Sequence, residues 1–368
     1  MGFGPDLLAQ TDISLLHPET RVARVAFRSH DQVSLLLPPE SPNLPHAPDC
    51  PRARLAPRIP NLADPHDPDA ESAHSVVVGD WVLCRLDHDP PSVSHRFGRR
   101  SLLRRRDPGG TVQPVGANLD LAVVCMAMGH DLNLRRFERW LAVIRDAGVP
   151  AMLLLTKADA GVDVAPTIAA FEAVSQGVPV LPVSAAENRG RDALISALKP
   201  GSTIALLGAS GVGKSTLINW IAGRAIQEVG EVRSGDDRGR HTTTARELIA
   251  VNVPGGFAWI LDNPGVRQVG PVDATSVDDT YPEVVTVLRA CRFRDCRHSG
   301  DQGCAVPQAL DDGRLEPARW RSYQKLQREL AWAEDRDDPS AMATRRAGWK
   351  RIHQQAAARN QLLGKGRR

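Results

Sequence analysis

The stretch from Gly208 to Thr216 has the residue types and the spacing that bind a phosphate group. It reads Gly-Ala-Ser-Gly-Val-Gly-Lys-Ser-Thr and fits the pattern G-x-x-x-x-G-K-[ST]. Glycines let successive backbone N–H groups surround phosphate oxygens, and the N-terminus of the following helix adds positive potential. We expect Lys214 to reach the β- and γ-phosphates and Ser215 to ligate Mg²⁺. A chance glycine-rich turn is the alternative, but an apolar strand pattern precedes this stretch and an amphipathic helix pattern follows it. The residues expected to line the loop are Gly208, Ala209, Ser210, Gly211, Val212, Gly213, Lys214, Ser215 and Thr216.

Two further loops have the residues that select a guanine base. The segment from Thr156 through Lys157 to Asp159 fits [NT]-K-x-D, and its aspartate can accept hydrogen bonds from N1–H and N2–H of guanine. Adenine lacks that pair of donors and would leave the carboxylate unpaired. The loop of Ser184, Ala185 and Ala186 fits the usual companion, whose backbone amide meets the guanine carbonyl oxygen. A Lys-Asp turn after a strand is common, so each loop alone is a weak signal, but with the phosphate loop they predict a guanine nucleotide site.

Two segments after the phosphate loop could sense the γ-phosphate. Asp262 to Gly265 fits D-x-x-G, so we expect Asp262 to hold Mg²⁺ through water and the Gly265 amide to meet the γ-phosphate. Residues 239–244 read Gly-Arg-His-Thr-Thr-Thr and predict a mobile loop, ordered by nucleotide. One threonine of this run, for which we take Thr243, completes the magnesium ligands with Ser215 and Asp262.

Val266 follows the D-x-x-G motif, where Ras-like enzymes carry the glutamine that orients the attacking water. Valine cannot hydrogen-bond water, so another group must position it. We assign the catalytic roles to His241 and Lys214. His241 could instead pack against the protein or bind RNA, and a partner could supply the missing group.

The order of these motifs differs from that of an ordinary small GTPase, because the base-reading loops come before the phosphate loop. Since the termini of a domain often lie close in space, one fold can be cut and rejoined elsewhere. The sequence therefore predicts a circularly permuted GTPase that is cut after the D-x-x-G loop. The second switch then leads directly into the C-terminal segment.

A cluster of metal-ligand residues follows in that segment. Cys291, Cys296, His298 and Cys304 have the spacing Cys-x4-Cys-x-His-x5-Cys. Three thiolates and one imidazole supply a closed tetrahedral zinc site, and with no open position the metal should be structural. Half of the chain's 6 cysteines lie here, which makes a chance cluster improbable.

The remaining sequence shows which elements must position these loops. The chain has 368 residues, enough for two or three domains, and a net charge of only +3. Short strand patterns between about 20 and 115 predict a small β-barrel, interrupted by a proline-rich insertion at 38–73. Alternating strand and helix patterns from about 119 to 261 predict a mostly parallel sheet with helices on both faces. One helix should bury a face made of Leu134, Phe137, Trp140, Leu141 and Ile144.

Two basic segments could contact RNA. Arginines are interleaved with apolar residues from Arg96 to Arg106, which predicts a strand with a basic face or an ordinary solvated one. Residues 344–368 contain many Lys and Arg and no acid, which fits an RNA-binding arm or a solvated tail. The N-terminus lacks the pattern of a signal peptide, and no run approaches ~20 apolar residues, so we expect a cytoplasmic protein that does not cross a membrane.

The motif order, ending in the Cys3His cluster, resembles the ribosome small-subunit-dependent GTPase A family. Residues 78–81, 99–102 and 117–120 also resemble the barrel of that family and its junction with the GTPase domain. The resemblance implies an oligonucleotide-binding (OB-type) barrel, a circularly permuted α/β P-loop GTPase and a mainly α zinc-knuckle domain. A basic tail extends beyond the part that resembles the family. The corresponding ranges are 1–116, 117–272, 273–340 and 341–368.

The same resemblance implies a function in late maturation of the small (30S) ribosomal subunit. It implies rRNA binding, GTP hydrolysis that the subunit stimulates, and release of the factor after hydrolysis. The cofactors would be GTP or GDP, Mg²⁺ and one structural Zn²⁺, and the water-positioning histidine falls on His241. Thr156 departs from the commoner Asn of the base-reading motif. We expect a monomer. Two alternatives remain, namely a GTP-dependent regulator acting away from ribosomes, and another P-loop enzyme such as a kinase or ATPase.

Overall fold

The computed structural model describes most of the chain between residues 19 and 337. The described ranges are 19–28, 32–37, 52–55, 76–87, 90–107, 109–129, 131–160, 163–227, 246–263, 269–271, 273–293, 295–298 and 302–337. Several predicted features lie outside these residues. They are the threonine loop with His241 and Thr243, Gly265, most of the proline-rich insertion and the basic tail. The chain divides into two units, one of Met1–Arg106 with Val112–Val269 and one of Asp107–Thr111 with Gly270–Arg368.

The first five strands pair into a closed ring. Their bounds are β1 (Thr20–Arg28), β2 (Gln32–Leu36), β3 (Arg52–Leu55), β4 (Trp81–Arg85) and β5 (Ser92–Arg96). The hydrogen-bonded order is β1-β2-β3-β5-β4, and β4 pairs back with β1. The β3–β5 pair is parallel and the other pairs are antiparallel. We call these five strands the N-terminal ring.

Alternation along β1 gives the ring an inside and an outside. Ala23 and Val25 are fully buried among the apolar residues of the ring interior. Arg24 and Ala26 point the other way, because successive side chains of a strand face opposite sides. Ala26 packs into the core of the neighbouring sheet. The ring therefore buries side chains on both faces of its first strand.

The sequence predicted one basic strand over Arg96–Arg106, and the structure corrects this. β5 ends at Arg96, and a new strand, β6, covers Leu102–Arg106. Between them Arg99 turns inward and donates hydrogen bonds of 2.7 and 2.9 Å to the two carboxylate oxygens of Asp80. Asp80 is 0% exposed, and a buried carboxylate requires such a partner. Arg99 is therefore withdrawn from the expected basic face.

β6 pairs with β7 (Val112–Ala117) in a separate two-stranded sheet, which we call the hairpin. Leu103 and Val115 of the hairpin are buried in one hydrophobic core, which they share with strand residues such as Val124 and Leu207. Arg104 lies 3.6 Å from the carboxylate of Asp146 in the first helix. The hairpin therefore packs on the mostly parallel strands described next.

Six strands, in the order β10-β9-β8-β11-β13-β12, form the mostly parallel part of one 11-stranded sheet that continues into the N-terminal ring through the β12–β1 pair. Four helices pack on these six strands. β12 runs antiparallel to β13 and the other pairs are parallel. The bounds are β8 (Leu121–Ala127), α1 (Leu134–Asp146), β9 (Ala151–Thr156), α2 (Val164–Ser175), β10 (Val180–Pro182), α3 (Arg191–Ala197), β11 (Thr203–Leu207), α4 (Lys214–Ala222), β12 (Glu247–Val253) and β13 (Gly256–Asp262). The predicted alternation of strands and helices is thus observed.

Both faces of this sheet are covered, as continuous apolar strands require. Val124 and Leu207 lie in a core with Trp140 of α1, whereas Val123 and Leu206 lie in a second core with helix α4. The helical face predicted for α1 is buried except at one position. Leu134 is 36% exposed, because it occupies the first position of the helix, before the buried run begins at residue 137.

The N-terminal ring is joined to the sheet through a tight turn. Gly79 has φ of 97°, and a Cβ at this residue would lie 2.2 Å from the carbonyl oxygen of Ala117. The Ala117 amide donates to Val78 at 3.0 Å, and Nδ2 of Asn118 donates to the Gly79 carbonyl at 3.0 Å. β1 also pairs with β12 at Phe27 and Glu247. The turn thus contacts the segment that enters β8.

The second unit contains four helices in its described residues. They are α5 (Ala274–Thr280), α6 (Pro282–Arg289), α7 (Ala305–Asp311) and α8 (Pro317–Asp337). The carboxylate of Asp273 caps α5 by accepting from the Ser276 amide at 3.2 Å. Tyr323 of α8 donates to Asp278 of α5 at 2.9 Å. Within the described residues, none of the helices has the length and apolar character needed to span a bilayer.

Candidate nucleotide and metal sites

The predicted nucleotide loops all follow strands that end at one edge of the sheet. β8, β9, β10, β11 and β13 run parallel, so their carboxyl ends share that edge. Leu206 lies opposite Asp262, and Leu155 lies opposite Pro182. Thr156, Ser184 and Gly208 are reached within two residues of these strand ends. The fold therefore gathers loops that are far apart in the sequence, in the place where open α/β sheets bind ligands.

The phosphate loop begins in a conformation that only glycine tolerates. Gly208 has φ of 143°, and an added Cβ would lie 2.4 Å from the carbonyl oxygen of Cys125 in the adjacent strand. The loop ends at Gly213, after which α4 begins at Lys214. Ser210 and Gly211 are exposed, whereas Ala209 and Val212 are buried beneath the loop. This arrangement places the N-terminus of a nine-residue helix directly after an exposed turn, where backbone N–H groups can bind an anion.

Lys214 is buried and lies within its own loop. Its Nζ donates to the carbonyl oxygens of Gly208 at 3.1 Å and Ala209 at 2.9 Å. Burial lowers the pKa of Lys214, although the charge of Asp262 partly opposes that shift. The loop carbonyls thus hold a cation among the N–H groups that would bind phosphate.

Asp262 is the last residue of β13 and is only 2% exposed. Burial raises the pKa of Asp262 to about 6, and the nearby charge of Lys214 acts in the opposite direction. A divalent cation favours the ionised form of such a carboxylate. The Ser215 hydroxyl and the Asp262 carboxylate are hard oxygen donors of the kind that Mg²⁺ prefers, so these two residues fit the ion. The third predicted ligand, Thr243, lies outside the described residues.

The base-reading loop is attached to the phosphate loop. Lys157 has φ of 55°, and its Nζ donates to the Gly211 carbonyl at 3.1 Å. The hydroxyl of Thr156 donates to the Val212 carbonyl at 2.6 Å. The threonine that replaces the commoner asparagine therefore makes one of the two hydrogen bonds that join the loops.

Asp159 is exposed and is positioned by Ser184. The buried Ser184 hydroxyl donates to Oδ1 of Asp159 at 2.5 Å, and this bond is the main cause that lowers the pKa of Asp159. The same Ser184 oxygen accepts from the Glu187 amide at 3.1 Å. The companion loop thus holds an ionised carboxylate at the surface. Ala185 and Ala186 follow Ser184, and Ala186 is exposed beside it.

Sequence reasoning missed the residues that stabilise these loops. Arg189 exchanges backbone hydrogen bonds with Ser184 and donates from its side chain to the Ala158 carbonyl at 2.6 Å. Arg191 donates to the carbonyls of Trp220 and Ile221 at the end of α4, at 3.1 and 3.0 Å. Two arginines shortly after the Ser-Ala-Ala motif were the only available signal, and arginine at a surface loop is too common to be informative.

A small cavity of about 40 Å³ lies behind the phosphate loop. Nε1 of Trp140 and Oδ1 of Asn263 are buried and have no hydrogen-bond partner among the described residues. Arg246, shortly after the threonine loop, also faces the cavity, and its pKa is lowered by burial and by the charges of Arg105 and Arg28. The lining residues are Arg105, Val115, Trp140, Leu207, Gly208, Arg246 and Asn263.

The predicted metal ligands of the second unit come together. The candidate ligand atoms of Cys291, Cys296, His298 and Cys304 all lie within 4.8 Å of one another. The Sγ of Cys291 is 3.4 Å from Nδ1 of His298, and it accepts from the Ala305 amide at 3.4 Å. Ligand atoms on a zinc ion at 2.0–2.3 Å lie about 3.3–3.8 Å apart, so this cluster fits the metal.

The two buried cysteines of the first unit, Cys84 and Cys125, lie outside this cluster and have raised thiol pKa values. Burial raises the pKa of Cys84 to about 11 and that of Cys125 to about 12. Both thiols therefore remain protonated at neutral pH and act as small apolar core residues. Among the described residues, the Cys3His cluster is the only group of three or more candidate metal ligands that lie close enough together to hold one ion.

Comparison with known proteins agrees with this architecture. The sequence profile of the family described as "RsgA GTPase" matches residues 96–271. A protein of Opitutus terrae named "Small ribosomal subunit biogenesis GTPase RsgA" is 42% identical over 304 residues, which are 78% of this chain and 82% of that protein. A protein of Streptomyces coelicolor with the same name is 40% identical over 296 residues, 78% of each chain.

Two solved structures share the fold. YjeQ from Thermotoga maritima superposes with a TM-score of 0.56 at 20% identity, covering 85% of this chain and 99% of that one. YloQ, described as a circularly permuted GTPase, superposes with a TM-score of 0.52 at 20% identity, covering 86% and 97%. The permuted order inferred from the motifs is thereby confirmed.

Proposed function

Because this chain belongs to the RsgA GTPase family, we propose that it is a GTP hydrolase that acts in maturation of the small ribosomal subunit. The observation that carries this proposal is the meeting of an exposed, ionised Asp159 with the Lys214 loop and the buried Asp262 at one sheet edge. The ribosomal target is inferred from the relatives, which are named small ribosomal subunit biogenesis GTPases.

In this proposal the two base-reading loops bind guanine. Asp159 accepts from N1–H and N2–H of the base, and Ser184 keeps its carboxylate ionised and oriented. Lys157 covers the base plane with its methylene stem. The backbone of Ser184, Ala185 and Ala186 meets the guanine carbonyl oxygen. Adenine would leave the Asp159 carboxylate unpaired, which gives selectivity for GTP.

The remaining residues act on the phosphates. The loop from Gly208 to Thr216 surrounds them with N–H groups, and Lys214 transfers its hydrogen bonds from the loop carbonyls to phosphate oxygens. Ser215, Thr243 and Asp262 would hold Mg²⁺, which neutralises charge on the β- and γ-phosphates. The Gly265 amide binds the γ-phosphate, and His241 orients the attacking water. The reaction depends mainly on positioning and charge, as phosphoryl transfer does in general.

The ends of the chain would bind rRNA. The strand order β1-β2-β3-β5-β4 with closure onto β1 supports an OB-type barrel for the N-terminal ring, within a first domain of residues 1–116. The GTPase domain then covers 117–272 and a zinc domain 273–340, with one structural Zn²⁺ on the Cys3His cluster. The basic tail at 341–368 extends the RNA contact. We propose that the factor is a cytoplasmic monomer that leaves the subunit after hydrolysis.

The decisive experiment measures GTP turnover with and without purified small ribosomal subunits. Strong stimulation that is lost in Lys214→Ala and His241→Ala is the expected result. Turnover that small subunits leave unchanged would contradict the ribosomal role and favour a different GTP-dependent regulator. Displacement of bound GTP by equimolar ATP would contradict guanine selectivity and favour another P-loop enzyme.

A further inference from the structure

Phe293 is the most exposed large apolar side chain in the described part of the protein. Its side chain is 51% exposed, compared with 46% for Trp332 and 36% for Leu134. It lies between Cys291 and Cys296, in the short loop that provides two of the four candidate metal ligands. A single exposed apolar side chain is common on protein surfaces, but this one lies in a short loop between two candidate metal ligands.

The backbone on both sides of Phe293 is held in place. The Arg292 amide donates to the Gly303 carbonyl at 3.0 Å, which ties this loop to the segment before Cys304. The Phe293 carbonyl accepts from the Cys296 amide at 3.3 Å. The ring therefore projects from a turn whose backbone is already held, and little backbone freedom is lost when a flat ligand covers it.

The charges around the ring are mostly positive. The guanidinium of Arg292 lies 5.4 Å from the centre of the Phe293 ring, at cation–π distance. Arg289 and Arg297 are also exposed nearby in the sequence, and Asp295 is the one exposed acid among the described residues of this loop. Aromatic faces flanked by arginines bind unpaired nucleotides, because a base stacks on the ring while guanidinium groups contact phosphates.

We propose that Phe293 is a stacking platform for one unpaired base of single-stranded RNA, with Arg292 and Arg297 contacting the flanking phosphates. This extends the proposed function, from which it takes RNA as the ligand. It adds that the zinc loop binds an unpaired nucleotide through its base. A duplex keeps its bases stacked and offers no free face to the ring.

The test uses the full-length, zinc-loaded protein and a 5′-fluorescein oligouridine of about twelve nucleotides, followed by anisotropy at several salt concentrations. Phe293→Ala should weaken binding about 5- to 150-fold, because one stacked base contributes that much, and should leave the salt dependence unchanged. Phe293→Trp should bind at least as tightly as the wild type. Arg292→Gln should reduce the slope of log K against log salt by about 0.7, the value for one single-strand phosphate contact.

Phe293→Leu distinguishes stacking from simple apolar contact. It also controls for a loss of binding that is caused by misfolding. Leucine keeps the apolar volume, so zinc content and unfolding should match the wild type, while the aromatic face is lost. Leu134→Ala, at another exposed apolar position, is the matched control and should bind normally. A cross-link from a 5-iodouridine oligonucleotide, mapped by mass spectrometry, should fall on Phe293.

Wild-type affinity in Phe293→Ala, or wild-type affinity in Phe293→Leu with zinc retained, would overturn the proposal. So would equal dependence on Phe293 for a twelve-base-pair RNA duplex. Subunit-stimulated turnover is a separate readout. If small subunits fail to stimulate the wild type while the Phe293 variants still lose RNA binding, the ribosomal role fails and the stacking site stands.

Discussion

The guanidinium of Arg24 donates a hydrogen bond of 2.6 Å to the hydroxyl of Thr203, although 179 residues separate them. Arg24 lies on the first strand of the N-terminal ring, and Thr203 is the first residue of the strand that leads into the phosphate loop. Arg24 is 1% exposed, and burial lowers its pKa to about 10. It also lies 5.2 Å from the centre of the Trp81 ring. A single buried cation thus connects the ring with the nucleotide-binding sheet.

Replacing Arg24 should therefore destabilise the first unit. Arg24→Met keeps most of the buried volume but leaves the Thr203 hydroxyl and the Gly79 carbonyl without this donor. We expect a loss of about 2–4 kcal/mol in the free energy of unfolding, measured with urea. Arg21→Met, at an exposed position of the same strand, should change stability by less than about 0.5 kcal/mol. Equal stability of the two variants would show that the buried contact contributes nothing.

The buried ion pair between Asp80 and Arg99 should stabilise the first unit by an amount similar to that of Arg24. Asp80→Asn leaves a guanidinium that is 5% exposed without its charge partner, so we expect a loss of about 3 kcal/mol in stability. Asp87→Asn is the matched control, because Asp87 pairs with Arg85 at the surface and such pairs contribute about 0–1 kcal/mol. Thermal unfolding of both variants gives the comparison, and similar melting temperatures would contradict the prediction.

Asp159 should determine which base is bound. Asp159→Asn replaces an acceptor with a donor, so affinity for GTP should fall by about 10³-fold and affinity for xanthosine triphosphate should rise. Asp163→Asn is the control, since Asn and Asp cap a helix equally well and Asp163 caps α2. Competition binding with a fluorescent guanine nucleotide measures both effects. An Asp159→Asn variant with unchanged base preference would place the base elsewhere.

Ser184→Ala should make nucleotide binding more sensitive to acid. The Ser184 hydrogen bond lowers the pKa of Asp159, so the carboxylate stays ionised as the pH falls. Removing the donor raises that pKa, and GTP affinity should then be lost at a higher pH than in the wild type. Affinity measured between about pH 3 and 6 covers the ordinary aspartate pKa of about 3.9 and the range just below it. Ser196→Ala, on an exposed face of α3, should leave the pH profile unchanged.

Thiol reactivity should separate the two kinds of cysteine. In a Cys50→Ser background, a zinc chelator should expose three reactive thiols, those of Cys291, Cys296 and Cys304. Cys84 and Cys125 should react only after unfolding, because burial raises their pKa values to about 11 and about 12. A thiol reagent with a coloured product counts them. Reaction of all five thiols on chelation alone would show that the metal holds the whole chain together.

The loops of the candidate sites could be proposed from sequence because the residues of each loop are contiguous. Lys214 and its glycines, Asp159 and the Cys3His cluster each lie within a short motif whose spacing reflects the shape of a ligand. The contacts that support them could not be predicted in this way. The partners of Arg24 lie up to 179 residues away, and the Arg99 side chain could be assigned inward only once buried Asp80 was known. The order of the strands could not be predicted either, because pairing between distant strands leaves no local pattern in the sequence.

The close approach of Gly79 to Ala117 restricts how the two parts of the first unit can move. Domains connected by a slender linker usually swing about it. Here the turn leaves no space even for a methyl group, and Arg24 and Asn118 bind to the same glycine carbonyl. Changes that depend on the nucleotide would therefore be confined to the loops, while the N-terminal ring stays fixed to the sheet that carries the phosphate loop.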